Sequence, residues 1–206
     1  MVPYRVIHGV ESTLLINHVA HQHLALLLLP ALERSAPSRV VAITSDAHSF
    51  YNKLDLDLPS AETYNSMAMY SASKVANILM VHGLRKQIKS PKVYVNSVHP
   101  GMVSTEIFRT GVHAEFLPWS IRGLVETVFR FFHSTFGYSL EQGALTQLYV
   151  STSPDVEKNE WQGQYFTPIA KLDKASDFSR DTEQVDRLWK WTNDTITRIL
   201  TETKQV

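Results

Sequence analysis

The sequence predicts an α/β fold, a doubly wound layer of parallel strands joined by helical crossovers. Two observations on the residues carry this. Short β-branched runs, Arg39-Val-Val-Ala-Ile-Thr44 and Lys92-Val-Tyr-Val-Asn-Ser-Val98, read as buried strands. Segments with helical spacing lie between and after them, so strand and helix alternate, the order that a parallel sheet requires.

Each element follows in turn. Glu11 to about Glu33 reads as one helix, opened by Ser12 or Thr13 and rich in leucine on more than one side, which predicts burial. The strand at Val40 comes next, then a polar stretch from Asp46 to Ser66, with Pro59, expected as a loop over the surface. Ala68 to Ile88 is helical, with Ala72, Val75, Ala76, Leu79 and Gly83 on one stripe. Pro100-Gly101 ends the following strand, and an irregular region runs to about Tyr138 with one or two short helices. Ser139 with Gln142 suits an N-cap and its capping partner for a helix to about Ser151. Gly163-Gln-Tyr-Phe-Thr167 is a third strand. Asp181 to Leu200 is a last amphipathic helix closing on Trp189 and Ile196. No repeat or linker divides the 206 residues, so one domain is expected, with residues 102–138 as a region inside it.

Composition narrows the function. Lys plus Arg and Asp plus Glu are both 20, so no broad positive field draws phosphate backbones, and nucleic acid is not expected as a partner. The chain has no cysteine, hence no disulfide or thiolate metal site, and redox chemistry must come from a cofactor. The N-terminal text shows no secretory signal, and a cytoplasmic location is expected. The longest apolar run, Leu24 to Leu32, has nine residues and includes Pro30, where a membrane span needs ~20, so it reads as a buried helix face. Ile121 to Phe132 is greasy but carries Arg122, Glu126 and Arg130 and reads as a packed helix. His18, His21 and His23 invite a metal reading, but no carboxylate has matching spacing and no metal is expected.

Four positions and one loop carry candidate chemistry. Tyr70 and Lys74, one helical turn apart, project from one face. A phenol is a poor acid or base near neutrality, and an adjacent ammonium favours the phenolate, so the pair suits general acid or base work. Ser45 stands at the carboxyl end of the preceding strand, where open α/β sheets place their ligand crevice; its plainer reading is a residue that starts a turn. Asn17 falls inside an apolar helix, where its amide needs a structural water or a backbone partner. Pro100-Gly101-Met-Val103-Ser-Thr105 lies at the same sheet edge, with a glycine for close approach and a hydroxyl on Thr105.

In this order Asn17, Ser45, Tyr70, Lys74, Pro100, Gly101, Val103 and Thr105 resemble the short-chain dehydrogenase/reductase family over nearly the whole chain. Asp46-Ala-His48, Val98-His-Pro-Gly101, Glu141-Gln-Gly-Ala144 and Gly163-Gln-Tyr-Phe166 look like its retinol dehydrogenase-like and WW-domain oxidoreductase-like branch, as does the long interval from Ser45 to Tyr70. The resemblance implies a Rossmann-type fold and an oxidoreductase that interconverts a lipophilic alcohol and its carbonyl form with NADP or NAD, NADP being favoured. It implies Tyr70 as acid/base, Ser45 as carbonyl orienter, Lys74 as ribose ligand and Asn17 as anchor of a proton relay. Tyr70, Lys74, Pro100, Gly101, Val103 and Thr105 are then the cofactor contacts, and a homodimer would form through the Tyr70 helix.

The departures matter too. The glycines, at 9, 83, 101, 111, 123, 137, 143 and 163, include no Thr-Gly-x-x-x-Gly-x-Gly turn. The resemblance therefore implies the C-terminal part of such a sheet, N-terminally truncated and lacking the first βαβ phosphate-binding half. Weak cofactor binding, low turnover and a bare edge on the Val40 strand are the expected consequences. Two other readings stay open: a non-catalytic fragment or interaction module, and a reductase bound to a membrane surface through Phe116 to Phe136.

Overall fold

The computed structural model describes residues 3–56, 59–103, 123 and 137–204. Its centre is a sheet of order β3-β4-β5-β6, formed by Ser38–Ile43, Val93–Val98, Tyr165–Thr167 and Lys171–Asp173. β3 pairs parallel to β4 from Ser38 opposite Val93 to Ile43 opposite Val98, and β4 pairs parallel to β5. β6 runs antiparallel to β5 and was not legible as a strand, being three exposed residues long. A small hairpin, β1 (Val6–Ile7) with β2 (Val10–Glu11), precedes the first helix.

That helix is built differently from the expectation. Ser12–Leu14 (α1) is capped by Glu11, whose buried carboxylate accepts from the backbone N–H groups of Thr13 and Leu14 and from the hydroxyls of Ser12 and Thr13. Ser12 and Thr13 are thus donors to the cap rather than the cap itself. A π-helical turn, Leu15–Val19, then leads into α2, Ala20–Arg34. Burial on α2 is confined to Gln22 and Ala25, while Leu24, Leu27 and Leu28 are 53%, 64% and 47% exposed. The expected buried leucine run is therefore split, because only one side of α2 meets the layer formed by β3 and the helix Ser66–Arg85. Among the described residues, Ser12–Arg34 is the one helical stretch long and apolar enough to cross a membrane.

α3, Ser66–Arg85, is the central helix, buried along nearly its whole length from Met69 to Leu84. Ala72, Val75, Ala76 and Leu79 pack with Val10, Leu14, Val185 and Leu188; Met80, Val81 and Leu84 pack with Ala25, Ala42 and Val95. The stretch after Ser45 is less superficial than its polarity suggests. A 3-10 turn covers Asp46–Phe50, and Tyr51 and Leu54 join the core beside Met69.

Beyond the sheet, Ser139 and Gln142 form the expected capping box of α4, Leu140–Thr152, followed by the short α5, Asp155–Lys158. The last helix, α6, spans Thr182–Thr203 with Asp181 as its cap. Its buried stripe is Val185, Leu188, Thr192 and Thr195, displaced from the expected Trp189 and Ile196. β3 is half-buried where β4 is fully buried, because no described strand pairs with its other side. An open groove of about 540 Å³ follows that side, lined by Pro37, Ser38, Arg39, Val41, Ser151, Thr152 and Glu157.

Candidate active site

The carboxyl ends of β3 and β4 and the first turns of α3 bring the predicted residues together. Thr44, at the end of β3, takes the Val98 carbonyl through its N–H (2.8 Å) and donates its hydroxyl to the Lys74 carbonyl (2.8 Å). The strand end is so fixed to α3 one turn after Tyr70. The Lys74 ammonium bends back to the Ile43 carbonyl at 3.4 Å and stands 5.4 Å from the centre of the Tyr70 ring, within reach of a cation–π attraction. Burial holds its pKa below the ordinary lysine value. One long hydrogen bond leaves this ammonium with spare donors.

Ser45 follows directly. Its extended backbone makes it the N-cap of the 3-10 turn, its Oγ accepting from the Ala47 N–H at 3.2 Å. The hydroxyl proton remains available to a further acceptor. Asn17 lies in the π-helical turn, and its partner is neither of the two expected kinds: its side-chain amide donates to the Ser73 hydroxyl (3.1 Å), which donates to the Tyr70 carbonyl (2.7 Å). Asn17 thereby reaches the Tyr70 backbone through one intermediary. Its own carbonyl accepts from the His21 ring at 2.6 Å.

The loop after β4 has a conformational reason for its glycine. Gly101 has φ +87°, and a methyl there would meet the Tyr138 ring and Pro168 at 2.5–2.8 Å. Val103 pairs with Tyr138 as an isolated bridge and packs on Gly143, where any Cβ would overlap it. Pro100, Gly101 and Val103 are therefore held at the sheet edge by α4 and the residues after β5. Thr105 and most of the 102–138 region, with Phe116 to Phe136, lie outside the described residues.

Sequence reasoning missed four residues that fix this site. Asn77 shares the Ile43 carbonyl with Lys74, its amide donating at 3.1 Å. His18, buried, meets the Thr192 hydroxyl on α6 at 2.9 Å. His48 and His99 each bind the turn after Ser45, His99 accepting from the Asp46 N–H at 3.2 Å. Burial lowers the pKa of both. The spacing of Asn77 from Lys74, one turn further along the same helix, was the available signal for the first; the others depend on contacts remote in sequence.

Comparison with known proteins places this geometry. The family model for short chain dehydrogenase matches residues 7–115. The chain is 37% identical over 158 residues to WW domain-containing oxidoreductase of Gallus gallus, covering 72% of this chain and 35% of that protein. It is 37% identical over 174 residues to retinol dehydrogenase 14 of Mus musculus (83% and 49%) and 34% over 190 residues to retinol dehydrogenase 12 of Mus musculus (92% and 55%). It thus spans between about a third and just over half of these relatives' length. A crystal structure of an uncharacterized protein from Mycobacterium paratuberculosis has the same fold, with TM-score 0.62 and 24% identity over 94% of this chain and 62% of that one.

Proposed function

The chain belongs to the short-chain dehydrogenase/reductase family, in its retinol dehydrogenase-like branch, and from that premise we propose that it moves the proton in a hydride transfer between NAD(P) and a lipophilic alcohol or carbonyl compound. One observation carries the reading: the Lys74 ammonium, desolvated and 5.4 Å from the Tyr70 ring, on a helix pinned to the strand end that bears Ser45.

In the direction of carbonyl reduction, the Ser45 hydroxyl orients the substrate oxygen and Tyr70 gives it a proton. The Lys74 charge stabilises the phenolate left behind. Asn17, through Ser73, holds the backbone of Tyr70 in place. The dinucleotide supplies the hydride when bound. The residues present suit its nicotinamide riboside end, since Lys74 has donors left for a ribose diol. They do not suit its phosphates, for which the 206 residues hold no glycine-rich turn. We therefore expect weak binding and low turnover for this polypeptide, with NADP preferred over NAD by resemblance. Relatives named for retinol favour a long apolar substrate.

Titrating NADPH and NADH against the purified chain, with nicotinamide fluorescence as readout, tests the reading. Weak saturable binding that Lys74→Met abolishes is expected; identical curves for the two proteins would end the assignment. A second reading, an interaction module without turnover, is favoured by the side of β3 that pairs with no described strand and by the exposed leucines of α2. Self-association would then run through α2, since α3 is covered by its own neighbours. A cytoplasmic location belongs to the same proposal.

A further inference from the structure

His48 is a buried imidazole in the turn that follows Ser45; besides a long contact of Nε2 with the Ser49 hydroxyl at 3.5 Å, it makes two hydrogen bonds to the backbone that fix its chemistry. Nδ1 lies 2.7 Å from the Ser45 carbonyl oxygen, and Nε2 lies 3.2 Å from the backbone nitrogen of Ser176, 128 positions away. A carbonyl oxygen only accepts and a backbone N–H only donates. Nδ1 therefore carries the proton and Nε2 the lone pair, which is a neutral ring in the Nδ1–H tautomer. The ring also stands edge-on to Tyr165 on β5, centroids 5.0 Å apart.

The far anchor is firm. Ser176 bonds its hydroxyl to the buried Ser179 at 2.9 Å and takes the Ser179 hydroxyl on its carbonyl at 2.8 Å. The near anchor is the turn whose Ala47 N–H holds the Ser45 Oγ. The imidazole is thus a strut between a fixed segment after β6 and the turn that directs the Ser45 hydroxyl.

We propose that His48 is a positioning residue for Ser45: a neutral Nδ1–H imidazole, braced by Ser176 and Tyr165, that clamps the Ser45 carbonyl and so sets where its hydroxyl points. This rests on the reading of Ser45 as the carbonyl orienter. A histidine that merely fills the core has no required tautomer and no required donor.

The test uses the chain labelled with nitrogen-15 in its histidine rings and backbone. Ring-nitrogen correlation spectra near neutral pH are expected to show His48 neutral with the proton on Nδ1, against the usual preference of free imidazole for Nε2. In His48→Asn the amide nitrogen overlays Nδ1 and keeps the donor to Ser45; in His48→Gln the amide overlays Nε2 and loses it. Exchange of the Ala47 amide is expected to quicken about tenfold in His48→Gln and to stay near wild type in His48→Asn, tenfold being the effect of one ordinary hydrogen bond. A proton on Nε2, a doubly protonated ring, or equal Ala47 exchange in both variants would overturn the proposal.

Ser45→Ala separates the two readings. Its His48 ring signals are expected unchanged, while saturation-transfer binding of a lipophilic ketone weakens. If the tautomer is as stated but ketone binding is the same in Ser45→Ala, the assignment of Ser45 fails instead, and the strut holds a turn without a role in the reaction.

Discussion

Lys74 and Asn77 donate to one acceptor, the carbonyl oxygen of Ile43, at 3.4 and 3.1 Å. They lie one turn apart on α3, and the ammonium stands 5.4 Å from the centre of the Tyr70 ring. The Asn77 side chain also interacts with the buried His18 imidazole, so Asn77 joins the strand end to the π-helical turn.

Asn77→Leu should therefore cost stability modestly while loosening Lys74. The lost amide bond is worth about 1–2 kcal/mol, with Lys74 still on the carbonyl. Urea denaturation measures it; an unchanged midpoint would mean that the amide bond contributes nothing in solution.

Acid should weaken the fold through His18. Burial holds this imidazole down to about 3, against an ordinary 6.5. The unfolded chain then takes up a proton that the folded chain refuses, so this contribution is intact above about 6.5 and is lost as the pH falls toward about 3. The slope is ~1.4 kcal/mol per pH unit at most from this one group. Between about pH 7 and about pH 5, wild type should lose more stability than His18→Gln, which has no such proton to bind. Parallel losses in the two proteins would exclude His18 as a source of the acid sensitivity.

Gly83 is required by its neighbour. A methyl there would overlap the Trp189 indole, which packs α6 on α3. Gly83→Ala should destabilise by about 1–3 kcal/mol despite the better helix propensity of alanine. Thermal unfolding monitored by tryptophan fluorescence is the measurement, and a raised midpoint would contradict the packing.

The sequence announced what depends on local pattern. The strand at Val40, the stripe from Ala72 to Gly83 and the Ser139 cap are written in two- and four-residue spacings, and the structure repeats them within a few residues. The one-turn spacing of Tyr70 and Lys74 is local in the same way, and the Lys74 ammonium does lie against the Tyr70 ring and the end of β3. Hidden from that reading were bonds closed by folding: Asn17 to Ser73, His18 to Thr192, His48 to Ser176. Glu11 was passed over because serine and threonine are the commoner caps and stood next to it. The leucines of α2 misled for a different reason. Their density suggests burial, but only tertiary packing decides which side of a helix is covered.

The uncovered leucines and the side of β3 that no described strand covers should make the chain self-associate. Light scattering after size exclusion is expected to show concentration-dependent species, shifted toward monomer by Leu27→Lys with Leu28→Lys. A monodisperse wild-type monomer would argue against any exposed apolar face in solution.

Because α6 is laid across α3 through Trp189 and Leu188 and is tied to His18 in the π-helical turn by the Thr192 hydroxyl, the last helix acts as a keystone for chemistry to which it lends no reacting atom. A stop codon or protease cut before Thr182 would leave Tyr70 and Lys74 in the sequence but strip the cover from the helix that carries them. Such a clipped product should lose the reactive centre at a distance, with every residue of the motif intact.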